Sequence, residues 1–134
     1  MYAPKVAKDR STPEAAAESF GVGTIRRHIF LCAGPDCVDE RKGDEAWDHL
    51  KGRLKKLGLS GQEGTVYRTR CRCLRICTDG PVALVYPEGT WYRNATPKNL
   101  DRIIDDHLVG GRPVEELCFA RGPLFPEGTE PSKL

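Results

Sequence analysis

Apolar residues recur along the chain at two different spacings, which predict strands in some segments and helices in others. Short runs rich in β-branched and aromatic residues, bounded by glycine, proline or charged residues, are typical of strands. Four segments show this pattern, at residues 26–32, 65–70, 81–86 and 90–94. The turn Pro87-Glu88-Gly89 joins the last two, so they are expected to form a hairpin.

Two longer segments repeat their apolar residues every three or four positions, which is the spacing of one helix face. The first covers residues 44–57, with Asp44 as the expected N-cap and Gly58 as the stop. The second opens at Thr96 and Pro97, a capping residue followed by a first-turn proline, and ends at Gly110. The apolar faces contain Trp47, Leu50, Leu54 and Leu57 in the first helix, and Leu100, Ile103, Ile104, His107 and Leu108 in the second.

The order of elements is strand, helix, three strands and a closing helix. A strand–helix–strand opening followed by a hairpin predicts an α/β domain, with a mixed four-stranded sheet flanked by two helices. We expect residues 1–24 to be a flexible N-terminal tail with a short helical turn at residues 13–19. The domain would then cover residues 25–120, and residues 121–134 would form a flexible C-terminal tail.

Charge and hydropathy exclude several classes of function. The net charge of +2 gives no indication of nucleic-acid binding. The chain has no run of about 18 apolar residues, so no membrane insertion is predicted. The first ten residues lack the apolar stretch of a secretory signal, so a cytoplasmic location is expected. Six cysteines in a reducing compartment indicate metal binding or redox chemistry rather than disulfides.

Four of these cysteines form two close pairs. Four residues separate Cys32 from Cys37, three separate Cys73 from Cys77, and 35 residues lie between the pairs. Each pair follows a predicted strand, so both loops can meet at one end of the sheet. A [2Fe–2S] cluster needs four thiolates, two on each iron, and two converging pairs would supply them.

The cysteine pattern C-x4-C-x35-C-x3-C resembles that of the thioredoxin-like [2Fe–2S] ferredoxins, a family that includes stand-alone ferredoxins and the thioredoxin-fold subunit of NADH dehydrogenases. The segments GPVALVYPEGTWY at residues 80–92 and HLVGGRPV at residues 107–114 resemble the stand-alone members most. The resemblance covers about residues 27–120. It implies that the cluster ligands are Cys32, Cys37, Cys73 and Cys77.

The same resemblance implies a thioredoxin-like fold, a homodimer, and single-electron exchange with a redox partner protein such as an oxidoreductase. The chain would then be an electron carrier and not an enzyme. One alternative is an electron-transfer subunit of a larger NADH-oxidising or hydrogenase complex. Another is a zinc-stabilised interaction module, because paired cysteines also bind structural zinc.

Several residues near the pairs have two interpretations. Cys71 lies two positions before Cys73 and could replace it as a ligand, whereas Cys118 lies in an apolar patch and is interpreted as a packing residue. Arginines crowd the second loop and form either a solvated strand face or a positive rim that docks an acidic partner. They are Arg68, Arg70, Arg72 and Arg75. The three histidines, His28, His49 and His107, lack a spacing that would match the cysteines.

Overall fold

Five strands form one sheet in this computed structural model, which describes residues 10–35 and 38–125. They are β1 (Arg27–Cys32), β2 (Val66–Cys71), β3 (Val82–Tyr86), β4 (Thr90–Tyr92) and β5 (Cys118–Arg121). Their order across the sheet is β2-β1-β3-β4-β5. β1 and β2 are parallel, and the other neighbours are antiparallel.

The predicted mixed sheet is confirmed, and the four predicted strands lie within two residues of their expected bounds. The predicted number of four strands is wrong, because β5 adds a fifth at the edge next to β4. β5 is only four residues long, and its last two residues are exposed. A strand that buries so little apolar surface leaves no alternating pattern in the sequence.

Three helices accompany the sheet: α1 (Pro13–Phe20), α2 (Glu40–Lys56) and α3 (Pro97–Arg102). The last continues without a break as a π-helical segment, Ile103–Val109. The helical turn expected near residue 13 is confirmed, with Thr12 as its cap. Short 3₁₀ turns follow at Val22–Thr24 and Glu115–Leu117.

α2 begins four residues earlier than predicted, and its cap is Asp39 rather than Asp44. The Asp39 carboxylate accepts a hydrogen bond from the backbone N–H of Lys42 at 3.0 Å. The first turn is polar apart from Gly43, so it carries no apolar signal. Gly43 itself is buried, and a Cβ there would overlap the carbonyl oxygen of Ala33. α2 therefore packs its first turn directly on the segment that follows β1.

α2 ends at a left-handed glycine, as predicted. Gly58 has φ +70, and its N–H donates to Lys55 O at 3.1 Å while Leu59 N–H donates to Leu54 O at 2.9 Å. These two bonds form a Schellman motif. Leu57 was expected on the apolar face but is 44% exposed, because the helix stops there and the chain turns away.

The hydrophobic core lies between one face of the sheet and the helices α2 and α3. Strand residues such as Ile29 and Leu31 contact one continuous cluster that includes Leu50 and Leu54 of α2 and Leu100 of α3. The opposite face carries half-buried rings, with His28 stacked on Phe30 at 4.0 Å between ring centroids. None of the described helices combines the length and the apolar character needed to span a lipid bilayer.

A buried polar network joins the π-helical segment to β4 and to the turn between β3 and β4. Tyr92 OH accepts from Val114 N–H at 2.9 Å, so its own proton is directed to His107 Nδ1 at 2.8 Å. His107 Nε2–H can then donate to Glu88 at 3.1 Å, and Glu88 also binds the Arg27 guanidinium at 2.8 Å. His107 is fully buried and lies in the π-helical segment.

The pKa values of this network follow from its burial. Burial raises the pKa of Tyr92 to about 12. Burial lowers the pKa of His107, and the hydrogen bond to Glu88 opposes that change only in part. Burial alone would raise the pKa of Glu88, but hydrogen bonds from Arg27, the backbone and His107 outweigh it and lower the pKa. These shifts favour a neutral His107 and an ionised Glu88 in the folded protein.

Candidate metal centre

The candidate site lies at the end of the sheet where the parallel strands β1 and β2 finish. Cys32 is the last residue of β1, and its Cα is paired in register with that of Cys71, the last residue of β2. The second cysteine loop, residues 72–81, follows immediately after Cys71. Parallel pairing therefore brings Cys32 and the second cysteine loop to the same end of the sheet, as the sequence predicted.

Cys73 and Cys77 form a close pair in the second loop. Their sulfur atoms are 3.6 Å apart, and both residues are exposed. Two thiolates bound at about 2.3 Å to one tetrahedral metal lie about 3.8 Å apart. The pair therefore fits two ligands of a single metal ion, which is the arrangement that each iron of a [2Fe–2S] cluster requires.

Cys32 is fully buried, and its thiol reaches the base of the second loop. Its Sγ lies 3.6 Å from the carbonyl oxygen of Arg72, the residue before Cys73. Cys37 lies outside the described residues. Within residues 10–35 and 38–125, no three histidine, cysteine or carboxylate side chains form a group that could hold one metal ion. The described part of the site is therefore a close pair of thiols, Cys73 and Cys77, with the Cys32 thiol beside the backbone at the start of the same loop.

Cys71 is held within the sheet rather than in the loop. Its carbonyl oxygen accepts a hydrogen bond from Ala33 N–H at 3.3 Å, and the residue is half-buried at the end of β2. The described sulfur contact of Cys77 is with Cys73. Cys118 is half-buried beside the main core, where packing was expected, and its thiol donates to Ala120 O at 3.5 Å.

The second loop has an unusual backbone. Arg75, Cys77 and Asp79 have φ values of +72, +54 and +55, in the left-handed region that residues other than glycine seldom adopt. Each such residue costs on the order of 1 kcal/mol or more, and such costs concentrate at functional sites. This conformation directs the Arg75 N–H to Cys73 Sγ at 3.2 Å. Hydrogen bonds to ligand sulfur are one of the means by which proteins set the potential of an iron–sulfur centre.

The arginines near the site divide into two pairs with different surroundings. Arg68 lies over the Trp47 ring at 5.6 Å, and Arg70 binds the Asp44 carboxylate at 2.7 Å, so both are anchored to α2. Arg72 and Arg75 are exposed on the second loop. A positive rim could therefore contain only Arg72 and Arg75. Residues 68, 70 and 72 alternate along the chain but do not form one solvated face, because the first two contact α2.

Arg70 also reaches the first cysteine loop, which the sequence did not indicate. Its guanidinium donates to the carbonyl oxygen of Ala33 at 3.0 Å, one residue after Cys32. Asp44 was expected to cap α2 and instead holds this guanidinium. The first cysteine loop is thus fixed to α2 and β2 at a single backbone carbonyl.

The histidines have partners away from the cysteines. His28 Nε2 lies 2.7 Å from Thr69 Oγ1, His49 Nε2 lies 2.7 Å from Asp101, and His107 belongs to the buried network. Burial lowers the pKa of His28. The described structure therefore assigns all three to packing and ion pairs.

Curated proteins and solved structures similar to this chain are 2Fe-2S ferredoxins. No family model matches the chain. It is 43% identical over 101 residues to a 2Fe-2S ferredoxin of Aquifex aeolicus (strain VF5), which covers 72% of this chain and 91% of the relative. It is 36% identical over 116 residues to a candidate 2Fe-2S ferredoxin of Priestia megaterium, covering 84% of this chain and 87% of that protein.

A solved structure agrees with these relatives. The thioredoxin-like [2Fe-2S] ferredoxin from Aquifex aeolicus superposes with a TM-score of 0.61 and 31% sequence identity, over 72% of this chain and 92% of that protein. The predicted thioredoxin-like fold and the family resemblance are confirmed. By its fold and its sequence identity, this chain belongs to the thioredoxin-like [2Fe–2S] ferredoxins.

Proposed function

We propose that this protein carries single electrons on one [2Fe–2S] cluster held by Cys32, Cys37, Cys73 and Cys77. The observation that carries the proposal is the close pair of Cys73 and Cys77, whose sulfur atoms are 3.6 Å apart. The pair follows β2 at the end of the sheet where β1 finishes with Cys32. Membership of the ferredoxin family favours iron over zinc in this pair. When bound, the cluster supplies a centre that accepts and releases one electron.

The residues of the chain would set where the cluster lies and how easily it is reduced. The buried Cys32 holds its thiol at the base of the second loop, while Cys73 and Cys77 lie at the surface. Exposed ligands place the centre close to solvent, so a partner could approach it directly. The Arg75 N–H bond to Cys73 Sγ would stabilise the extra negative charge of the reduced state.

We further infer that the protein is an electron carrier and not an enzyme, that it is cytoplasmic, and that it acts with a redox partner protein. The family supports the carrier role. We infer a homodimer from the same family resemblance. The half-buried rings on the sheet face opposite the core, including Phe30 and Trp91, offer a second copy an apolar surface. Light scattering of the purified protein would measure the mass of the particle.

Anaerobic purification followed by metal analysis and spectroscopy tests the cluster. We expect two irons and two sulfides per chain, visible absorbance in the oxidised protein, and an electron-paramagnetic-resonance signal after one-electron reduction. A colourless protein that contains only zinc would contradict the proposal and support the interaction module.

Serine variants test the ligands one by one. We expect Cys32→Ser, Cys37→Ser, Cys73→Ser and Cys77→Ser each to lose the cluster or change its spectrum. Cys71→Ser and Cys118→Ser serve as matched controls and should keep two irons and the wild-type spectrum. Loss of the cluster in Cys71→Ser but not in Cys73→Ser would reassign the third ligand to Cys71.

A further inference from the structure

We propose that the second cysteine loop is a docking surface for an electron-transfer protein whose own redox centre is surrounded by acidic residues. The proposal rests on the proposed function and names the partner of that same site. Arg75 would provide the charge, and Ile76 the apolar contact.

The first reason is that folding stability does not explain why residue 75 is an arginine. Its backbone is left-handed at φ +72, where glycine would avoid the steric cost. Its side chain is exposed, and none of the carboxylates in the described part of the chain forms an ion pair with it. A costly backbone conformation that presents an exposed cation indicates a role in an interaction.

The second reason is the apolar side chain next to it. Ile76 is 40% exposed, although it lies between the two cysteines of the pair. Together with Phe119 it lines a shallow hollow of about 150 Å³ that continues from the loop onto the sheet. An exposed aliphatic residue beside a metal centre is suited to form the dry middle of a small, transient interface.

Among the described residues, two aspartates near the loop lie beside arginines other than Arg75. Asp79 lies 3.9 Å from Arg93, and Asp44 is held by Arg70, so these acids are matched by other arginines. A partner with carboxylates around its centre would therefore meet an attractive field, which raises the association rate at low salt.

The test uses the cluster-containing protein and two protein oxidants of opposite surface charge. Plastocyanin, which has an acidic surface, and cytochrome c, which has a basic one, each take one electron from the chemically reduced cluster. In plastocyanin the electron converts Cu(II) to Cu(I), and in cytochrome c it converts Fe(III) to Fe(II). Stopped-flow rates are measured at low and high ionic strength.

We expect plastocyanin to oxidise the wild-type protein faster at low salt, with a rate that falls as salt is added. Arg75→Glu should slow this reaction roughly tenfold at low salt and speed the reaction with cytochrome c. Arg75→Lys keeps the charge and should keep the rate. Ile76→Ser should slow both oxidants at every salt concentration.

Arg26→Glu is the matched control, because Arg26 is also exposed but lies just before β1, at the end of that strand opposite Cys32. It changes the net charge by the same amount and should alter the rates by less than about twofold. Equal effects of Arg26→Glu and Arg75→Glu would overturn the docking surface while leaving the electron carrier intact. A protein that binds no iron would instead overturn the carrier, and the docking surface with it.

Discussion

The guanidinium of Arg70 lies 3.0 Å from the carbonyl oxygen of Ala33, and through this contact β2 holds the loop that starts at Cys32. The same guanidinium binds Asp44 at 2.7 Å. α2 reaches the same carbonyl, since Gly43 packs against it without a side chain. Three elements therefore meet at one backbone atom beside the first cysteine.

Removal of the Arg70 guanidinium should loosen the first cysteine loop. We expect Arg70→Met to lower the free energy of unfolding by about 1–2 kcal/mol, because a charge-assisted hydrogen bond to a carbonyl is lost. Asp44→Asn removes only a half-exposed ion pair and should cost less than about 1 kcal/mol. Chemical denaturation of both variants measures the difference. Equal losses would show that the Ala33 contact contributes nothing.

The rate of iron release separates a local effect from a global one. With a chelator present, Arg70→Met should release iron faster than Asp44→Asn when both are compared at equal distance from their unfolding midpoints. Arg70→Lys restores the positive charge but not the planar donor pair, so it should recover only part of the wild-type rate.

Gly43 provides a second test of the same contact. Alanine is favoured over glycine in a helix by about 1 kcal/mol, yet we expect Gly43→Ala to destabilise the protein by about 1–3 kcal/mol. Its Cβ would overlap the Ala33 carbonyl, which is backbone and has little room to move. Gly52→Ala is the control in the same helix, since a Cβ there meets open space and should stabilise by up to about 1 kcal/mol. Thermal melts of the two variants should therefore shift in opposite directions.

The network around His107 predicts that the protein is less stable in acid. The pKa of His107 is lowered in the folded state, so below about pH 6.5 the unfolded chain binds a proton that the folded chain does not. Stability should therefore rise with pH up to that value. The pKa of Glu88 is lowered as well, so its contribution is lost at still lower pH. Melting temperatures between pH 4 and pH 8 measure this slope, and His107→Gln should flatten the part between pH 5 and pH 6.5.

Tyr92 links two groups that would otherwise be buried without partners. Tyr92→Phe removes the acceptor of Val114 N–H and the donor to His107 Nδ1. We expect a loss of about 1–3 kcal/mol in the free energy of unfolding, with an unchanged iron content, because none of the described hydrogen bonds of the network involves a cysteine. A loss of iron at neutral pH would mean that the network and the cysteine site are coupled.

Two leucines three residues apart in sequence should respond differently to truncation. Leu54 is fully buried, and Leu54→Ala should cost about 2–5 kcal/mol. Leu57 is 44% exposed, and Leu57→Ala should change the free energy of unfolding by less than about 0.5 kcal/mol. Urea denaturation of both variants compares the helix face that the sequence predicts with the face that the structure buries.

The strands and the second helix could be predicted from the sequence because their apolar spacing and capping residues agree. Thr96 caps α3 as expected, and its hydroxyl accepts from Asn99 N–H at 3.4 Å. The first turn of α2 was missed, since its capping residue Asp39 is followed by polar residues and by Gly43. β5 was missed because it buries little apolar surface. The π-helical segment was not predicted either, and the partners of its His107, Glu88 and Tyr92, are distant in sequence.

The candidate site was predictable where strand order decides it and unpredictable where side-chain direction decides it. Parallel pairing of β1 and β2 brings Cys32 beside the loop of Cys73 and Cys77, as the spacing indicated. The alternation of Arg68 and Arg70 along β2 predicted that they share one face, and α2 partly covers that face. The left-handed backbone at Arg75 leaves no trace in composition, because glycine is the residue expected at such a φ.

The parallel arrangement of β1 and β2 has a consequence for how the protein responds to iron supply. A cofactor bound across the two strand ends would join segments about 35 residues apart in sequence, with the whole of α2 enclosed between them. Opening that enclosed segment would require metal–sulfur bonds to break first, so the population of unfolded chains would follow the availability of iron.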